Sequence, residues 1–144
     1  MFIALVIAST TDIKKRRIPI WIFPSAAFIS LAIKVITNEF SVYEGDILRM
    51  IIGGTSFFVM FVLLALFAKG GGGDAIMMAC IGATMYFFDT MLISLYAALS
   101  YVAFAVTLKF VKGKNLSLRK LKAPFVPFVT VGFVILVIQK ILQR

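Results

Sequence analysis

Six strongly apolar stretches, residues 1–11, 20–35, 47–68, 75–88, 91–111 and 124–142, are separated by short polar connectors. Each reads as a transmembrane helix, the bilayer core being roughly 30 Å thick and crossed by about 20 apolar residues. Residues 1–11 alone would cover only about 16 Å. Continuation through Asp12 to Arg17 extends this to roughly 25 Å, with the basic ends reaching the headgroups. Ile18-Pro19 then ends or kinks that helix, because proline lacks an amide hydrogen and disfavours helical geometry in the residue before it. In the second stretch Trp21 and Phe23 mark one interface, Pro24 fits a first-turn or kink position, and Lys34 stands near the far end. Gly53-Gly54, early in the third, permits close helix contact. Residues 75–111 are interrupted only by Asp89. That length predicts two short or tilted spans joined by a turn at Phe88-Asp89-Thr90. Pro124 and Pro127 open the last stretch.

Composition agrees with this pattern. Hydrophobic residues make up 62% of the 144 and charged residues 15%, against about 25% charged in soluble domains. The expectation is an all-α polytopic membrane protein: one membrane-embedded domain over residues 1–144, with six transmembrane helices. The net charge of +9 does not point to nucleic acid, since most basic residues cluster beside apolar spans, as the positive-inside rule describes. Eleven of the fifteen basic residues fall at 14–17, 69 and 109–122, whereas Glu39, Glu44, Asp46 and Asp89 fall on the other side. Six spans with that asymmetry put both termini outside and the basic segments in the cytoplasm, beside anionic lipid. Cys80, the single cysteine, excludes an internal disulfide, and the absence of histidine argues against a conventional zinc site. No metal or other cofactor is expected, and the sequence carries no signal for an oligomeric state.

Two acids remain, Asp12 and Asp74, and the topology puts both on the cytoplasmic face. Asp12 precedes Lys14-Lys15-Arg16-Arg17; Asp74 closes Lys69-Gly70-Gly71-Gly72-Gly73. A carboxylate at a membrane boundary calls for a function. Two carboxylates a few ångströms apart share one proton, so the ionised member can deprotonate a water while the protonated member donates to a peptide carbonyl. The glycines would let an extended substrate backbone approach. Each feature has a plainer reading: Asp12 as a topological flank, Asp74 as a helix cap, Asp89 as a loop acid, Gly53-Gly54 as helix packing. A phosphate-binding loop is excluded, because no Gly-Lys-Ser/Thr follows the glycines. A small transporter would more naturally place its ionisable groups near the bilayer midplane. A non-catalytic assembly protein would tolerate loss of either aspartate.

Gly71-Gly72-Gly73-Asp74 matches the GxGD signature, and Asp12-Ile13-Lys14-Lys15-Arg16-Arg17-Ile18-Pro19 resembles the first catalytic motif of the type IV prepilin peptidases. Ala123-Pro124-Phe125-Val126-Pro127-Phe128 resembles the proline-containing start of that family's last helix. The resemblance implies an intramembrane aspartyl endopeptidase that removes the basic leader of prepilins or pilin-like proteins at the cytoplasmic membrane face. It implies Asp12 and Asp74 as catalytic, with Gly71, Gly72, Gly73 and Pro19 binding substrate or shaping the backbone. Where the family commonly has Asn or Asp after Ile-Pro this chain has Ile20, and where it commonly has Lys two positions after the second aspartate it has Ile76. The N-terminal cysteine-bearing domain of larger relatives, with its methyltransferase activity, is not expected here.

Overall fold

The computed structural model describes residues 1–15, 20–37, 45–68, 72–112 and 124–143. The described residues form five α-helices: α1 (Phe2–Lys15), α2 (Ile22–Ile36), α3 (Asp46–Ala68), α4 (Gly72–Lys112) and α5 (Val126–Leu142). The all-α expectation holds, but the count of six does not. The predicted fourth and fifth spans form the single element α4, and Phe88-Asp89-Thr90 is helical rather than a turn. Two helical stretches, Asp46–Phe67 and Gly72–Phe110, are long and apolar enough to cross a membrane, while α1, α2 and α5 are shorter apolar helices. Only 11% and 17% of the most apolar windows of those two are buried inside the protein, so neither is the core helix of a soluble fold. With the count of six goes the placement of both termini outside, which depended on it.

Backbone geometry explains why the break was misplaced. Within α4 the chain leaves helical conformation at Tyr86, with φ 63° and ψ 177°. No glycine or proline stands there, so the sequence carries none of the usual punctuation. A non-glycine residue in this region costs on the order of 1–3 kcal/mol and persists only where its surroundings fix it. Lys34 of α2 does part of this: its Nζ donates to the Thr84 carbonyl at 2.6 Å and lies 4.3 Å from the centroid of the Tyr86 ring. The Tyr86 hydroxyl is hydrogen-bonded to Asp46 at the start of α3. The Thr90 hydroxyl donates to the Tyr86 carbonyl at 2.7 Å. In a lipid environment a backbone carbonyl freed by a break must find a donor within the protein, and Lys34 and Thr90 supply donors to the Thr84 and Tyr86 carbonyls.

The break bends α4 back on itself. A straight helix of its 41 residues would separate its ends by about 60 Å. Instead both arms reach the start of α5. Tyr101 and Phe104 of the later arm each pack on Phe128 with centroids 5.4 Å apart. Asp74 of the earlier arm interacts electrostatically with Asp12, which itself bonds the first residue of α5. The later arm runs antiparallel to α5, as the Tyr96 hydroxyl donating to Gln139 at 2.9 Å and the Asp89–Lys140 ion pair show farther along. Asp89 is therefore an ion-paired helical residue. Helix α1 is also antiparallel to α5, with Asp12 at Val126, Ser9 at Thr130, and the Phe2 ring stacked on Phe133. Leu5, Phe23, Phe57, Met77, Ile81, Ile93, Val126 and Val129, drawn from all five helices, share one buried core.

Helix α3 meets the earlier arm of α4 at a glycine crossing. A Cβ on Gly53 would stand 2.3 Å from the Gly82 carbonyl oxygen, and one on Gly82 would stand 2.4 Å from that of Gly53. Gly53 thus packs helix on helix, as its position predicted, and its partner is a glycine the pattern had not singled out. Gly82→Ala is expected to lower stability by about 1–3 kcal/mol, because backbone must move to admit the methyl. Gly72→Ala, where a Cβ meets nothing, should stay within about 0.5 kcal/mol of the parent. Unfolding of the solubilised protein by denaturing detergent compares the two.

Candidate active site

Helix α1 does not stop at the membrane-boundary acid. It continues through Asp12 to Lys15; Arg16 and Arg17, to which the length argument extended it, lie outside the described residues. Asp12 is consequently presented from within a regular helix, and it is 8% exposed. Burying a carboxylate without a partner is costly, and its partner comes from the far end of the chain. The Val126 backbone amide donates to Asp12 Oδ2 at 3.3 Å.

That amide belongs to the first turn of α5, where an α-helix leaves its N–H groups without intrahelical acceptors. Phe125 precedes the helix without a side-chain cap, the first turn contains no acid, and proline stands at its start. Proline at that position lacks the donor that would otherwise go unsatisfied. Asp12 supplies the missing acceptor from another helix, and its negative charge suits the positive end of the helix dipole. The sequence shows the start of α5 through Pro124 and Pro127, but no local pattern pairs it with Asp12, since the contact spans 114 positions.

Asp74 lies in the first turn of α4, half-buried, and within the electrostatic reach of Asp12. The structure thus brings together the two acids singled out in the sequence. Gly72 and Gly73 open α4 just before Asp74; Gly72 is exposed, and a side chain there would meet no other group among the described residues. Ile76 follows Asp74 within the same helix, in a half-buried position. Gly71 and Pro19 lie outside the described residues. Among the described residues no group of three or more His, Cys, Asp or Glu is placed to hold a metal ion.

One turn from Asp12 along α1, an open apolar groove of about 310 Å³ is lined by Ser9 of α1 and by Pro127, Thr130, Val131, Val134 and Ile135 of α5. Its two hydroxyl-bearing residues, Ser9 and Thr130, were not among the residues that the sequence marked. Ser9 is three residues before Asp12 and Thr130 four after Val126, so each shares a helix face with a residue of the site.

Comparison with known families places this geometry. The model of the type IV leader peptidase family matches residues 1–106. The chain belongs to that family. No curated protein and no solved structure matches it. The matched stretch contains α1 to α3 and most of α4, with both Asp12 and Asp74, while α5 lies beyond it. The protein is accordingly an aspartic-type leader peptidase of the membrane, and the prepilin peptidase activity expected from its motifs is the activity of its family.

The cap that this peptidase places on α5 has a measurable consequence. Asp12→Asn and Asp12→Ala both remove the charge, but only Asn keeps an oxygen able to accept from Val126. Asn at position 12 is expected to leave the protein about 0.5–2 kcal/mol more stable than Ala does, the range measured for helix caps. Detergent-induced unfolding of the two variants reads the difference directly.

Proposed function

We propose that Asp12 and Asp74 form the catalytic pair of this leader peptidase. The observation that carries the reading is that two acids far apart in the chain, each at the end of an apolar helix, stand close enough for their charges to interact. Like charges in a poorly solvated site resist joint ionisation, so the pair holds one proton between two carboxyls. The ionised member takes a proton from a water that attacks the scissile carbonyl. The protonated member donates to that carbonyl oxygen; when the resulting diol collapses, the proton taken from the water passes to the leaving amine and a diol hydroxyl returns a proton to the other carboxylate. Gly71, Gly72 and Gly73 shape the approach to Asp74, with Gly72 leaving space for an extended peptide backbone. Pro19 directs the backbone beyond Asp12. The reading takes residues 1–144 as one membrane-embedded domain and assigns no cofactor.

The substrates are prepilins or pilin-like proteins with a short basic leader ahead of an apolar helix, and the site faces the cytoplasm. Support for that orientation no longer needs a count of spans. The end of α1, the start of α4 and the start of α5 gather at one end of the bundle. The segments that continue from them carry Lys14 to Arg17, Lys69 and the basic residues of 112–122. Basic sequence adjoining those helix ends is what the positive-inside rule assigns to the cytoplasmic side.

Leader removal from a prepilin by the purified enzyme in lipid, followed by mass spectrometry, tests the pair. Asp12→Asn and Asp74→Asn are each expected to lower the rate at least on the order of 10²–10⁴-fold, the usual worth of an acid–base group. Cleavage by either variant at the parental rate removes that aspartate from the mechanism.

A further inference from the structure

One turn away from Asp12, α1 and α5 are joined a second time. The Ser9 and Thr130 hydroxyl oxygens are 2.7 Å apart, and the Thr130 hydroxyl also donates to the Val126 carbonyl at 3.0 Å. A hydroxyl has a single hydrogen. Because Thr130 gives its hydrogen to Val126, Ser9 is the donor of the shared bond. The order of the contacts is then Ser9 to Thr130, Thr130 to the Val126 carbonyl, and the Val126 amide to Asp12. Val126, fully buried, is held at its carbonyl by Thr130 while its amide holds Asp12.

We propose that Ser9 and Thr130 are positioning residues for the cleavage reaction: their hydroxyl pair fixes the register of α1 against α5 that sets the Val126 amide on Asp12 and orients its carboxyl toward Asp74. The inference rests on Asp12 being catalytic. The physical reason for such a device lies in the surroundings. The faces of α1 and α5 that meet here are otherwise apolar, and apolar contacts between helices are non-directional and tolerate sliding. A hydroxyl pair in a region with little competing water has one short-range optimum. Misplacement of a reacting group by about 1 Å costs on the order of 10²-fold in rate, so a small slip of α1 would register in turnover before it registered in folding.

The test measures kcat and KM in lipid vesicles with a prepilin retaining its leader and first apolar helix, for Ser9→Ala, Thr130→Val, the double variant, Ser9→Thr, Thr130→Ser and Asp12→Asn. Ser9→Ala and Thr130→Val are expected to lower kcat roughly tenfold with KM within about twofold of the parent, as displacement of a catalytic group does. The double variant should be no slower than the worse single one, because the two residues act as a unit. Ser9→Thr and Thr130→Ser, which keep the hydroxyls, should restore kcat. Unchanged kcat in the alanine and valine variants overturns the inference, as does a rise in KM alone, which would make the pair a wall of the neighbouring groove. Loss in the hydroxyl-retaining variants equal to that in Ser9→Ala also overturns it. Activity of Asp12→Asn at the parental level would instead remove the catalytic reading of Asp12 itself.

Discussion

The buried carboxylate of Asp12 is the constraint on which the site depends. It needs a donor, and it takes one from Val126 at the start of α5; it also repels a second negative charge at Asp74. One group thereby ties the first helix to the last and meets the start of α4. Each contact limits the others. If α5 starts one residue earlier or later, a different amide faces Asp12, and Pro127 has no amide hydrogen to offer. The capping bond therefore contributes register as well as stability. Cost and use coincide here, because a carboxylate kept out of bulk water at a membrane boundary is held in the environment where acid–base chemistry between paired carboxyls becomes possible.

At the opposite end of the earlier α4 arm the chain meets a second polar requirement. The break at Tyr86 doubles α4 back so that both its arms reach the start of α5. Lys34, Asp46 and Thr90 satisfy the polar groups around the break. Close to the bend, the Gly53–Gly82 crossing brings α3 and the earlier arm of α4 to backbone contact. Close approach of backbones is a principal way for helices to attract one another where lipid is as apolar as their own side chains.

Much of this was legible in the sequence, and the failures have identifiable causes. Apolar stretches long enough to be helices, the continuation of α1 past Asp12, and the packing role of Gly53 follow from local rules. So does the singling out of Asp12 and Asp74 from the six acids, since both stand where a charge is out of place. The division of residues 75–111 was misjudged, because Asp89 looked like the natural turn residue. Its carboxylate in fact pairs with Lys140, and the break falls at a tyrosine whose conformation is fixed by residues from α2 and α3. No local reading of the sequence contains that information. The same holds for Val126 and Thr130: their significance comes from an antiparallel contact between the first and last helices, and Ser9 becomes notable only once that contact is known.

The central claim is spatial: Asp12 and Asp74 face one another in the folded, membrane-embedded protein. The most direct measurement replaces both by cysteine, with Cys80→Ala to leave no other thiol, and treats the reconstituted protein with a short bifunctional thiol reagent. Ser9→Cys/Thr130→Cys in the same background serves as reference, since its parent hydroxyls are 2.7 Å apart. The account predicts intramolecular cross-linking of the 12–74 pair at a rate comparable with the reference, seen as a covalent link between the two proteolytic fragments. Efficient linking of 9 to 130 with none between 12 and 74 would contradict it, leaving the bundle intact and the catalytic pair dissolved.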